Sequence, residues 1–281
     1  MDGDFLDLDW SRVGSNRVVI VAHGLEGSSQ SVYVRGCVRA LCRRNWDAVA
    51  WNFRGCSGEP NRLQRSYHSG ASEDLAAVVE RVERLGYRMI AVVGFSLGGN
   101  LTLKFLGEGN PAASSVAAGV GVSVPCDLQG AAESISRPEC AFYLRRFLRT
   151  MIARMREKRR RFGARFPEVN PRWIQNFRDF DDQFTAPLHG FHDAADYWRQ
   201  CSSLRFLGGI RVPTLILSAE DDPFLSRECL PRDAPRTNPN LTVEIPKWGG
   251  HVGFVGGGIW ASEYWSESRI AEFLEEAARR S

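Results

Sequence analysis

Short apolar runs alternate with helix-period stretches along most of this chain. Arg17–Ala22, Trp46–Trp51, Met89–Val93, Val116–Val124, Val212–Ser218 and Leu241–Ile245 read as strands. In most of them the apolar residues run together instead of alternating, the pattern of a strand covered on both faces. Phe5–Trp10 alternates in part, which predicts a strand near a sheet edge. Between these runs, Ser31–Arg44, Ala71–Leu85, Gly99–Leu106 and Ser262–Arg280 carry helical spacing, and Ser69 or Ser72 is placed to cap the second of them. Strand–helix alternation of this kind predicts an α/β fold: a mostly parallel, doubly wound sheet with helices on both faces. Functional groups in such sheets collect at the carboxyl ends of the strands.

The alternation stops between Cys126 and Phe206. Aromatic residues and arginines become dense there, and no strand pattern occurs. Leu144, Phe147, Leu148, Met151 and Met155 recur at helical spacing, with Arg145, Arg146, Arg149, Arg154, Arg156, Lys158, Arg159, Arg160 and Arg161 on the remaining faces. The expectation is a single domain over residues 1–281, with residues 126–206 inserted as a helical cap. The apolar stripe would face inward, Phe147 and Met151 would touch substrate, and the basic remainder would face solvent or an anionic lipid surface.

Composition changes this picture little. Of 281 residues, 43% are hydrophobic and 25% charged, and a formal net charge of +3 gives no argument for nucleic acid. The seven cysteines are odd in number and form no C-x-x-C pair, which fits a reduced, cytoplasmic setting. No leader pattern precedes residue 10, and no apolar run reaches the roughly 20 residues of a membrane span.

Chemistry concentrates at the strand ends. Gly94-Phe95-Ser96-Leu97-Gly98 lies between an apolar strand and a helix. A G-x-S-x-G pentapeptide is common by chance, but strand–turn–helix context makes it a nucleophile elbow, a turn too tight for side chains beside the serine. A serine needs a base to take its proton, and the base needs an acid to orient it. Ala219-Glu220-Asp221-Asp222-Pro223 follows one later strand, and Gly249-Gly250-His251-Val252-Gly253 follows the next. Ser96, Asp222 and His251 are therefore the candidate catalytic residues. Asp221 and Glu220 are the alternatives for the acid, with Asp221 read as a solvated neighbour. Leu25, in His23-Gly24-Leu25-Glu26-Gly27, and Leu97 are the candidate oxyanion-hole donors through their N–H groups. His23 is expected to brace that loop, and His68 to serve structure or touch substrate. His189 and His192 lie near Asp193 and admit a metal site only with further ligands. No zinc spacing, phosphate loop or dinucleotide fingerprint occurs, so no cofactor and no metal are expected.

Six segments together resemble one branch of the α/β-hydrolases, the YheT-like bacterial hydrolases and the eukaryotic ABHD-type lipases. They are His23–Ser29, Asn52–Gly58, Tyr67–Gly70, Gly94–Asn100, Ala219–Phe224 and Gly249–Phe254. The resemblance implies an α/β-hydrolase fold, Ser96, Asp222 and His251 as a triad, and cofactor-free hydrolysis of small-molecule or lipid acyl esters. The amino-terminal membrane anchor of the eukaryotic relatives is absent from this sequence, and Glu73 stands where an H-x4-D acyltransferase motif starting at His68 needs aspartate. The expected activity is that of a serine carboxylesterase. A lipase, phospholipase or thioesterase with the same triad stays open, as does a non-catalytic binding module of the same fold. Epoxide hydrolases and dehalogenases use an aspartate nucleophile, which Ser96 disfavours. Oligomeric state is not readable from the sequence.

Overall fold

Period-two alternation along the central strands feeds two separate cores. A computed structural model describes residues 2–255 and 264–280, with strands β1 (Asp7–Ser11), β2 (Arg17–Ala22), β3 (Asp47–Asn52), β4 (Met89–Phe95), β5 (Val116–Val122), β6 (Thr214–Leu217) and β7 (Leu241–Glu244). Val18, Ile20 and Ala22 of β2 enter one apolar cluster, and Val19 and Val21 enter the other. β4 divides the same way, with Ile90 and Val92 on one side and Ala91, Val93 and Phe95 on the other. The sheet order is β1-β3-β2-β4-β5-β6-β7. Every neighbouring pair is parallel except β1, which runs antiparallel on β3 with Leu8 opposite Trp51. The partly alternating first strand thus lies at the edge, as its pattern predicts.

Helices cover both faces. Helix α1 (Val32–Cys42) buries Val34, Cys37 and Leu41 on one face, beside Ile270 and Leu274 of the closing helix Trp265–Arg280. Helices α2 (Ser72–Glu83) and α3 (Leu97–Gly107) cover the other face with Leu75, Val79, Val82, Leu101 and Phe105. Each fully buried aliphatic side chain contributes roughly 1.5–3 kcal/mol relative to exposure, which outweighs the propensity terms of helices this short.

Several boundaries differ from the sequence pattern for tertiary reasons. β5 stops at Val122 because Ser123 turns into left-handed backbone at φ 51°, which sends Val124 back under α3. Neither Ser69 nor Ser72 caps α2; the capping position is Ala71, with no side-chain bond. The Ser69 amide instead donates to the Tyr197 hydroxyl, and its carbonyl accepts from Asn100 Nδ2. The expected start of the last helix, Ser262, lies outside the described residues.

Between β5 and β6 the described chain contains no strand. It forms α4 (Leu128–Ile135), α5 (Ala141–Phe162), short turns from Phe177 to His189, and the helix Ala194–Cys201. These build their own apolar cluster from Ile135, Leu144, Leu148, Met151, Ile152, Phe166, Phe180 and Phe184.

Candidate active site

Ser96 occupies the junction of β4 and α3 with φ 52° and ψ −118°, backbone that costs a non-glycine residue of order 1–3 kcal/mol. Packing on both sides holds it there. A Cβ at Gly94 would stand 2.2 Å from the Gly98 carbonyl oxygen, and one at Gly98 would stand 2.4 Å from the His23 carbonyl oxygen. The elbow is therefore pressed against the end of β2, with the Ser96 amide donating to Val122 O at 2.8 Å.

The candidate acid and base arrive on the loops after β6 and β7. Asp222 Oδ2 lies 2.8 Å from His251 Nδ1, and His251 Nε2 lies 2.9 Å from Ser96 Oγ. A carboxylate can only accept, so it fixes the proton on Nδ1 and leaves Nε2 to accept from the serine. The Asp222 side chain is fully buried, and its Oδ1 accepts the Phe224 amide at 3.0 Å. The Phe224 ring packs on the imidazole at 4.5 Å between centroids. Asp221, expected as a solvated neighbour, is exposed but engaged: its Oδ1 accepts the amides of Gly249 and Gly250 at 2.9 and 2.8 Å. Ser123 Oγ takes the Val252 amide from the other side. The loop that carries His251 is thus pinned at both flanks.

The loop after β2 reaches the same point. A Cβ at Gly24 would lie 3.2 Å from Ser96 Cβ. Leu97 opens α3, where N–H groups have no intrahelical acceptor. His23 braces this loop: its Nδ1 lies 2.7 Å from Gly24 O, and its Nε2 accepts the Phe53 amide at 3.1 Å. Burial pushes its imidazole down to about 4, so it stays neutral and needs no counter-ion. Tyr33 Oη accepts the Gly24 amide, and Tyr67 Oη accepts the Glu26 amide.

A cavity of about 800 Å³ opens above Ser96 and His251. Phe147, Met151 and Met155 of α5 line it with Phe177, Phe184 and Phe224. Leu144 and Leu148 of the same stripe do not reach it and pack within the helical segment. The basic face of α5 does not simply face solvent. Arg154 pairs with Glu26 at 3.1 Å, and Arg161 donates to Asn61 O. Lys158 is buried and donates to Asn61 Oδ1, Leu63 O and Arg65 O, and burial pushes its ammonium down to about 8. The far half of α5 lies across the loop after β3, where Arg154 and Lys158 join segments, while Arg161 is exposed with Arg145, Arg146, Arg149, Arg156 and Arg160.

Of the remaining histidines, His68 and His189 lie side by side on the cavity wall. His68 Nδ1 accepts the Gly70 amide, and its ring packs tilted against His189 at 4.4 Å between centroids. His189 faces the Thr185 and Ser66 carbonyls, whereas His192 is exposed beside Asp193. Among the described residues no group of three or more His, Cys, Asp or Glu side chains stands ready for a metal ion. Asp181 lines the cavity wall, where burial pushes its carboxyl up to about 7. Sequence reasoning missed Tyr33, Tyr67, Glu26, Arg154 and Ser123 as supports of the site. Glu26 and Tyr67 fall inside two of the family-like segments without their role being marked there; Tyr33, Arg154 and Ser123 fall outside any motif, and partners lie up to 129 residues away.

Residues 17–257 match the family model described as the alpha/beta hydrolase fold. The chain belongs to that family. It is 39% identical to YheT of Escherichia coli (strain K12) over 97% of this chain and 82% of the other. It is 29% identical to the Mus musculus phospholipase ABHD3, over 98% of this chain and 69% of that protein. Among solved structures, the Pyrococcus furiosus esterase Pf2001 superposes with a TM-score of 0.61 at 18% identity, over 96% of this chain and 87% of that one. Among the described residues no helix is long and apolar enough to cross a membrane.

Proposed function

We propose that the protein is a serine carboxylesterase that cleaves acyl esters through an acyl-enzyme. The observation that carries this reading is the unbroken relay from Asp222 Oδ2 through His251 to Ser96 Oγ, with bonds of 2.8 and 2.9 Å. Ser96 Oγ attacks the ester carbonyl while His251 Nε2 takes its proton. The tetrahedral oxyanion is held by the Leu25 and Leu97 amides, each such donor being worth about 2.7–4 kcal/mol in the transition state. The imidazolium, steadied by Asp222, returns the proton to the leaving alcohol. Water repeats the attack on the acyl-enzyme, releasing the acid and restoring Ser96. Residues 126–206 act as a lid whose Phe147 and Met151 contact the acyl chain.

A lipid ester is the second reading. The aromatic-lined cavity of about 800 Å³ favours it, and one relative is a phospholipase. A chain-length series of p-nitrophenyl esters, run beside phospholipid vesicles, separates the two. Ser96→Ala tests the common mechanism. It is expected to keep the fold, to lose fluorophosphonate labelling and to lose roughly 10⁶-fold in kcat. Hydrolysis that survives in this variant, or labelling at another residue, excludes the assignment.

A further inference from the structure

We infer that Arg154, on the helix that walls the cavity, is a positioning residue for the oxyanion hole: through Glu26 it fixes the backbone of Leu25. This deepens the esterase reading and rests on it for the role of the Leu25 amide. Glu26 adjoins Leu25 and adopts left-handed backbone at φ 55°, which a glutamate does not hold unaided. Three contacts hold it. Tyr67 Oη accepts the Glu26 amide at 3.0 Å and donates to Glu26 Oε1 at 2.7 Å. Arg154 Nε donates to Glu26 Oε2 at 3.1 Å, and its Nη1 donates to Gly55 O. The carboxylate is 8% exposed, so without the guanidinium it would be an almost buried charge with only a phenol for a partner.

The connection crosses the molecule. Glu26 belongs to the loop after β2, whereas Arg154 lies 128 residues later on α5. Met151 lines the cavity one helical turn before Arg154, on the same side of α5. The Leu25 side chain packs at once against the sheet-side core and the cluster of the helical segment. A displacement of α5 therefore pulls on the residue that offers the oxyanion donor. An oxyanion donor acts in the transition state and not on bound substrate, so the signature of this role is in kcat and not in KM.

The test compares wild type with Arg154→Met, Arg154→Lys, Glu26→Gln and the Arg154→Met/Glu26→Gln pair on p-nitrophenyl acetate and p-nitrophenyl octanoate. Arg154→Met is expected to lose about 10–100-fold in kcat, by the same factor on both esters, with KM within about threefold. Arg154→Lys recovers part of the loss, because it keeps the charge without the fork of donors. The double variant falls no further than the weaker single variant, since both remove one interaction. Hydrogen exchange in the peptide spanning residues 23–29 accelerates in Arg154→Met, and this arm needs no substrate. Unchanged kcat, or a loss confined to KM or to one chain length, overturns the inference and makes Arg154 a substrate contact or a plain staple. If Arg154→Met does not fold, wild-type kcat in both Arg154→Lys and Glu26→Gln overturns it equally. If wild type itself hydrolyses neither ester and Ser96 is not labelled, the esterase reading fails instead. Unaltered exchange over residues 23–29 then still decides against the clamp.

Discussion

Ser96 has one base within reach of its proton, and that base has one buried carboxylate behind it. Asp222→Asn presents an amide that can donate where only an acceptor serves, so the imidazole loses its productive tautomer. The expected fall in kcat is about 10⁴-fold. Asp221→Asn keeps an Oδ1 able to accept the Gly249 and Gly250 amides and is expected to stay within a few-fold of wild type. Steady-state kinetics on p-nitrophenyl butyrate check both, and a reversed order of effects assigns the acid to Asp221. Both residues were visible in the sequence, but only the contact of Asp222 with His251 was expected from it. Asp222 announces itself by following a strand end at a fixed interval. Asp221 works by accepting amides from a loop 28 residues later, and nothing near it in sequence marks that use.

Helix α5 serves two surfaces along its length, and each predicts a different phenotype. Phe147 and Met151 line the cavity, so Phe147→Ala or Met151→Ala should move the preferred acyl chain toward longer esters without slowing fluorophosphonate labelling of Ser96. A p-nitrophenyl ester series reads this, and an unaltered preference removes α5 from the acyl wall. Arg156 and Arg160 are exposed, and their neutralisation should leave soluble esters untouched. The spacing of Leu144 to Met155 correctly marked one apolar stripe. The charge pattern held for Arg145, Arg146, Arg149, Arg156, Arg160 and Arg161, which are exposed, and misled at Lys158, because a cation at helical spacing reads as solvated unless its acceptor is known. For Lys158 the acceptors are an asparagine and two carbonyls roughly a hundred residues earlier. The capping of α2 failed for a related reason: the serine placed to cap it was already held by Tyr197 from the inserted segment.

Across the whole molecule, the mostly parallel sheet and the edge position of β1 followed from strand pattern, whereas the joints between the sheet and the inserted helices did not. Those joints set stability. Lys158→Met would orphan Asn61 Oδ1, since Leu63 O and Arg65 O still accept from Asn61 Nδ2; one buried acceptor left unpaired costs roughly 1–3 kcal/mol and should lower the urea midpoint. Asp181 adds a pH dependence of definite sign. It keeps its proton up to about pH 7 in the folded chain, against 3.8 unfolded. The folded state binds more protons across that window, so stability falls as pH rises through it, by at most about 1.4 kcal/mol per pH unit. Asp181→Asn should remove this contribution, and the difference between urea titrations of the two proteins from pH 4 to 7 checks this; parallel curves refute it. The distance along the chain from Ser96 to His251 has a consequence in time. The two are 155 residues apart, which at ribosomal speeds is about 8–30 s of synthesis. Throughout that interval a nascent chain carries its serine at an elbow with no imidazole to deprotonate it. On the proposed triad, unfinished copies are expected to be chemically silent, with reactivity switching on only when the last strand joins the sheet.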